Sequence, residues 1–234
     1  MQKKFLRNDK RVKMTKYIIF DAGPLINFSM NGILHLLKSL KKEFSGKFFI
    51  TEEVKREVID YPETIKRLEL NALQLEALFN EGVIELPDLK NKQKEFNKLS
   101  KEIMKIANST FYTTKGYINI IQEGEASSLA LSKMIKEPNV LAVDERTARM
   151  LCENPENLRK LLEKKLHTSI KADKKNYAFF KDIKIIRSTE LIYIINKKKL
   201  FDLNSPKTLD AMLYGMKYKG CSVSEQEIEQ IKKL

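Results

Sequence analysis

Residues 17–28, YIIFDAGPLINF, constrain the fold more than any other stretch. An apolar run (Tyr17, Ile18, Ile19, Phe20) stops at a single carboxylate, Asp21. The chain then turns through Ala22-Gly23-Pro24 and takes up apolar helical spacing at Leu25, Ile26 and Phe28. An uninterrupted apolar strand is buried on both faces, as in parallel sheets covered by helices on either side. Ligands of open α/β sheets bind beyond the carboxyl ends of the strands, so Asp21 stands where a site would form. An Asp ahead of Gly-Pro also begins ordinary turns, and from this stretch alone both readings are open.

The same arrangement recurs at Val140-Leu141-Ala142-Val143, which stops at Asp144 and is followed by helical residues (Arg146, Ala148, Arg149, Leu151). Between the two, Ile33, Leu36, Leu37 and Leu40 fall on one face of a first helix. Residues 47–50 read as a second strand. Thr51 caps a helix that begins with Glu52 and Glu53, and Glu57 lies one turn beyond Glu53. Residues 64–79 continue as helix and 82–87 as a brief extended segment. Gly124 ends a turn, and Glu125 then opens a helix whose buried stripe is small (Ala126, Ala130) with Leu129 and Met134. That helix can pack close to the sheet and bring its first carboxylate to the strand ends. Residues 183–186 are a last strand, with Ser188 or Thr189 capping the helix after it. Leu209, Met212, Leu213 and Met216 share a face, Gly220 is a helix stop, and Ser224 to Glu227 form a capping box. The pattern predicts an α/β fold, a three-layer α/β/α sandwich around a short, mostly parallel sheet.

Two stretches break this rhythm and read as basic, mostly helical insertions, residues 88–117 and 155–182. In the first, Phe96, Leu99, Ile103 and Ile106 form an apolar stripe. Lys94, Lys98, Lys101 and Lys105 form a second stripe almost diametrically opposed to it. Four like charges on one face are a solvated surface or a ridge that follows phosphates. The second stretch interleaves eight Lys/Arg with Tyr177, Phe179 and Phe180. A basic arm spans residues 1–16 ahead of the domain at 17–234. Over the whole chain 44 Lys+Arg stand against 31 Asp+Glu, a net charge of +13. That balance favours a polyanionic partner, nucleic acid (RNA or DNA) first and an anionic membrane second, and with no strong amphipathic aromatic helix no membrane partner is expected. No apolar run approaches the ~18 residues of a membrane span. Cys152 and Cys221 read as separate reduced thiols of a cytoplasmic protein.

Asp21 and Asp144 at strand ends, with Glu57 and Glu125 on helices, place four carboxylates at one end of a parallel sheet. Without four bases to match, such a group repels itself unless its pKa values rise or hard cations bind. Mg²⁺ or Mn²⁺ takes oxygen ligands and leaves room for phosphate oxygens. Glu53, Glu123 and Glu145 lie close by in sequence and could exchange places with members of the quartet. His35 and His167 suit packing or surface.

The motifs IIFDAGPLI, TEEVKREV, GEASSLAL and VLAVDERTAR, in this order, resemble the PIN-domain family of metal-dependent ribonucleases. The resemblance is nearest to a prokaryotic, often archaeal, subgroup and covers residues 17–85 and 118–234. It implies that Asp21, Glu57, Glu125 and Asp144 bind Mg²⁺ or Mn²⁺ and catalyse endonucleolytic hydrolysis of RNA. Asp21 would be the central ligand, Asp144 and Glu125 nearest the metal, and Glu57 the outer member. Arg146 and Arg149 read either as exposed helix-surface residues or as contacts to the scissile phosphate. Lys94, Lys98, Lys101 and Lys105, outside the resemblance, would follow further phosphates if their stripe is a ridge. The sequence departs from the family at Gly23, where many members carry a Ser or Thr whose hydroxyl supports the site. Two alternatives follow. One is a nucleic-acid-binding protein with weak or no catalysis. The other is the toxin of a toxin–antitoxin pair, with an acidic protein partner. A homodimer is compatible with each.

Overall fold

The computed structural model describes residues 15–234, so all but the last two residues of the expected N-terminal arm lie outside it. Its centre is a parallel sheet of four short strands, β1 (Tyr17–Phe20), β2 (Lys47–Phe49), β5 (Asn139–Ala142) and β7 (Ile185–Ile186), in the order β2-β1-β5-β7. Alternate residues of these strands feed two cores. Ile18, Phe20, Val140 and Ala142 face one, while Ile19, Leu141 and Ile185 face the other. Burial on both faces is why the strands read as unbroken apolar runs.

Over the first face lie α1 (Ala22–Met30), α2 (Leu34–Glu43), α5 (Glu69–Asn80), α11 (Ser188–Lys197), α12 (Thr208–Tyr218) and α13 (Glu225–Lys232). Over the second lie α6 (Gln93–Asn108), α7 (Glu123–Met134), α8 (Arg146–Glu153), α9 (Pro155–Leu166) and the short α10 (Tyr177–Phe180). The architecture is the α/β/α sandwich expected from the sequence.

Three local expectations change. The helix expected through residues 64–79 is interrupted. A short α3 (Glu52–Lys55) widens into a π-helical turn over Arg56–Asp60, followed by α4 (Tyr61–Glu63), and α5 starts only at Glu69. Gly124 does not precede the next helix but lies in its first turn, since α7 begins at Glu123. Ser188 does not cap α11. Arg187 occupies that position, and the Ser188 hydroxyl is drawn instead to Asp144.

The two basic stretches meet. Strands β3 (Phe111–Thr113) and β4 (Gly116–Tyr117) from the first and β6 (Lys171–Ala172) from the second form an antiparallel sheet ordered β4-β3-β6. Asn176 adds bonds from its Nδ2 to the Thr110 hydroxyl (3.2 Å) and the Ile106 carbonyl (3.3 Å). Phe96, Ile103, Phe111, Leu158, Ile170 and Phe180 all belong to the second core. These stretches therefore complete the face of the sheet that α7 begins to cover.

Candidate metal centre

Strands β1 and β5 are neighbours, and their onward connections lead to opposite edges, β1 to β2 and β5 to β7. The carboxyl ends of such a pair open a crevice. Asp21 follows the last residue of β1, its N–H bonded to the Ala142 carbonyl at 3.0 Å, and Asp144 lies two residues beyond β5. Both aspartates are buried, 4% and 2% exposed.

Asp21 is the least satisfied of the quartet. Its Oδ1 is buried and has no hydrogen-bond partner. Burial, then the charge of Glu57, push its pKa up to about 7, against the pull of the Ala22 and Gly23 N–H groups. Glu125 is pushed up to about 8, by burial first and then by Asp21, with Glu145 and Glu57 adding to the repulsion. Glu57 is also raised, by burial. Burial is the first cause in all three, Glu57 adds to the rise of Asp21 and of Glu125, and no basic side chain opposes either shift.

Local structure explains how the two glutamates arrive. The π-helical turn shifts the backbone register at Glu57, and such turns recur at functional sites. A Cβ on Gly124 would lie 2.6 Å from the Glu57 Oε2, so only a glycine in the first turn of α7 lets that carboxylate rest there. Hydroxyls hold α3 and α7 together: Ser127 donates to the Gly124 carbonyl (2.8 Å), and its Oγ lies 2.7 Å from the Thr51 hydroxyl. Thr51 also caps α3, accepting from Val54 N, as its place in the sequence predicts. Glu125 closes a capping box, accepting from Gln122 N at 2.8 Å.

Asp144 is held differently. Its Oδ2 accepts from Asn27 Nδ2 (2.6 Å) and Ser188 Oγ (2.6 Å), and its Oδ1 accepts from Ser188 N (2.8 Å). A carboxylate has about four acceptor positions, so one on Oδ1 is left over. The sequence does not single out Asn27, and it offers Ser188 only as a helix cap. The one signal was a polar residue at each of two helix positions facing the core. They provide the support that Gly23 does not, and a Cβ on Gly23 would lie 3.4 Å from the Asp144 Cβ, in ordinary contact.

The remaining candidates separate. Lys94, Lys98, Lys101 and Lys105 are all exposed on α6, opposite the buried Phe96 and Ile103. Lys101 lines a cavity of about 320 Å³ with Glu53, Arg56, Asn97, Ser100, Met104 and Glu123, two of which, Arg56 and Glu123, are close in sequence to Glu57 and Glu125. Glu53 has a buried oxygen without a partner there, Oε2. Glu145 caps α8, accepting from Thr147 N and Ala148 N. Arg146 donates to the Ser222 hydroxyl at 2.8 Å. Arg149 is 8% exposed, ion-paired to Glu153 and Glu227, and lines a cavity of about 360 Å³ with Arg146. Cys152 and Cys221 are buried free thiols.

An all-oxygen donor set with an orphaned Asp21 oxygen fits a hard divalent cation in its chemistry. In this arrangement no three His, Cys, Asp or Glu side chains among the described residues are gathered into a metal-holding group. The capping bond of Glu125 and the three donors on Asp144 account for part of that, since each already directs a carboxylate oxygen elsewhere. No helix among the described residues is long and apolar enough to cross a membrane.

Comparison with known families adds one finding. The model of a family described as PIN domain matches residues 17–157, more than half of the chain and the part that carries all four carboxylates. No curated protein and no solved structure shows significant similarity to the chain.

Proposed function

The chain belongs to the PIN-domain family, a nuclease-type fold, and from that premise we propose that it is a divalent-cation-dependent endoribonuclease. The observation that carries the reading is the buried, unpartnered Oδ1 of Asp21, in a carboxyl group raised to about 7 by burial and by Glu57. Asp21 would hold the cation centrally, with Glu125, Glu57 and the remaining acceptor position of Asp144 around it. Mg²⁺ or Mn²⁺ bound there supplies Lewis acidity toward a phosphate oxygen and acidifies water. Asp21 and Glu125 give up their protons as the cation binds, so affinity for it rises with pH. Asn27 and Ser188 hold the Asp144 carboxylate in place. Lys101 and Arg56, which line one cavity, would bind the phosphates flanking the scissile bond.

Asp21→Asn and Asp144→Asn are each expected to lower cleavage of an unstructured RNA in Mn²⁺ by at least about a hundredfold, the scale on which loss of metal-site groups acts. Both should retain the far-ultraviolet circular dichroism of the parent. Full cleavage by both variants would sink the proposal. A second reading, an RNA-binding protein with little or no turnover, is supported by the three donors already on Asp144. It predicts salt-sensitive RNA binding with no cleavage in any divalent ion.

A further inference from the structure

The β4-β3-β6 sheet has two unlike faces. In antiparallel strands, residues directly opposite one another project to the same side. Tyr112 is opposite Tyr117 on one flank and Lys171 on the other, so these three share a face. Phe111, adjacent in the strand, projects to the other side and is fully buried in the second core. On the outer face Tyr117 is 67% exposed, and its ring meets that of the half-buried Tyr112 edge-on, with centroids 5.8 Å apart.

The rim of that face is cationic. Lys115 is at the tip of the β3–β4 turn, and Lys171, Lys174 and Lys175 follow one another along and beyond β6, all exposed. The carboxylates nearby are largely spoken for. Glu156 and Glu163 are paired with Arg159 at 2.7 and 2.6 Å, and the Asp173 side chain accepts from Lys175 N. The preference of Tyr for strands explains an aromatic residue in β3. It does not explain an exposed Tyr117 ring packed on Tyr112 on a face that also carries lysines.

We propose that this face is a platform for single-stranded RNA, with bases stacking on Tyr117 and Tyr112 and phosphates meeting Lys115 and Lys171. Stacking on aromatic rings within a positive surface is how single strands are gripped without reading their sequence. The platform is connected to the acidic centre at both ends of its chain segment. It continues directly from α6, whose Lys101 and Asn97 line the cavity beside Glu53 and Arg56. Five residues, 118–122, separate Tyr117 from the start of α7. Asn108 fixes that link, accepting from Ile120 N (2.7 Å) and Ile121 N (3.0 Å) and donating to the Ile121 carbonyl (3.0 Å). A strand laid across the tyrosines is thereby led toward the carboxylates. The proposal rests on the RNA reading above but not on catalysis.

The test is fluorescence anisotropy with an unstructured single-stranded RNA of about 12 nucleotides and with its duplex, in chelator so that nothing is cut. The parent should prefer the single strand. Tyr117→Ala should weaken that binding about tenfold and Tyr117→Phe should restore it, because the ring and not the hydroxyl stacks. Lys171→Ala should lower the slope of log K against log salt by about 0.7, the value for one phosphate contact on a single strand, whereas Tyr117→Ala leaves the slope unchanged. Unchanged single-strand affinity in Tyr117→Ala, or equal affinity of the parent for strand and duplex, overturns the platform. So does self-association that is lost in Tyr117→Ala while RNA affinity stays, since a second copy would then be the occupant. Tyrosine-dependent binding without cleavage in Mn²⁺ would keep the platform and reject the nuclease reading. Cleavage of RNA that is indifferent to Tyr117 would do the reverse.

Discussion

Two clusters of acidic side chains lie on either side of Asp144, and only one of them has guanidinium groups set against it. At the strand ends burial raises Asp21, Glu57 and Glu125, the charge of Glu57 adds to the rise of the other two, and no basic side chain opposes them. Toward the C-terminal helix, Glu190 and Glu227 surround the buried Arg187, at 2.5 and 2.8 Å, with Arg149 and Glu153 beside them. Burial alone would raise Glu227, but the Ser224 N–H and the Arg187 guanidinium reverse that and bring it to about 2. Ser222 connects the clusters. Its N–H bonds to the Asp144 carbonyl, and its own carbonyl accepts from Arg149 and Arg187, both at 3.4 Å. Carboxylates matched by guanidinium groups fasten the C-terminal segment to the fold, whereas the strand-end carboxylates have no such match.

The largest expected effect breaks the matched cluster. Arg187→Ala leaves Glu190 and Glu227 without their partner in a buried setting and should destabilise the protein by about 3–5 kcal/mol. Urea unfolding would read this as a lower midpoint with the same slope. A loss below about 1 kcal/mol would mean that the network behaves as a surface pair and fastens nothing.

The next effect sets the two clusters against each other through pH. Glu227 is depressed in the folded state, so its contribution is complete above its ordinary 4.5 and is lost as pH falls toward about 2. Asp21 is raised, so without a divalent ion the folded state becomes less stable as pH rises from its ordinary 3.8 to about 7. Asp21→Asn should therefore be the more stable protein at pH 8 in chelator, by at least about 1 kcal/mol or roughly 2–4 °C in Tm. Mn²⁺ should erase the difference by stabilising the parent. If Asp21→Asn melts below the parent in chelator at pH 8, the strand-end carboxylates are not the strained cluster described here.

How much of this was legible in the sequence depends on the reach of each interaction. The strand-Asp-helix units at Asp21 and Asp144 could be read because their apolar runs are local and buried on both faces. The Thr51 and Ser224 caps, and the opposed lysine and apolar stripes of α6, could be read because each is complete within a few helical turns. The π-helical turn beneath Glu57 could not, because a shift from four- to five-residue hydrogen bonding leaves the apolar spacing almost unchanged. Nor could the pairing of β3 with β6, two strands of three and two residues, whose only signature is long-range hydrogen bonding. Arg149 reads as exposed on a helix until its partner Glu227, far along the chain, is brought to it. Asn27 and Ser188 are in the same class, since each supports a carboxylate more than 40 residues away.

The smallest expected effect concerns Gly23 and shows where support for the acidic centre resides. A hydroxyl two residues after the first aspartate would matter if nothing else held Asp144. Here the side chains of Asn27 and Ser188 and the Ser188 N–H already do so. A Cβ at position 23 meets only the Asp144 Cβ and backbone N, at 3.4 and 3.8 Å. Gly23→Ala should then keep cleavage close to the parent's. It should also stabilise the first turn of α1 slightly, by up to about 0.5–1 kcal/mol, as replacing glycine within a helix does. Ser188→Ala removes the hydroxyl donor to the Asp144 Oδ2 and keeps the N–H on Oδ1, and it should lower cleavage more than Gly23→Ala does, with melting temperatures measured for both. If the order is reversed, the support of Asp144 runs through α1 at position 23 and not through α11.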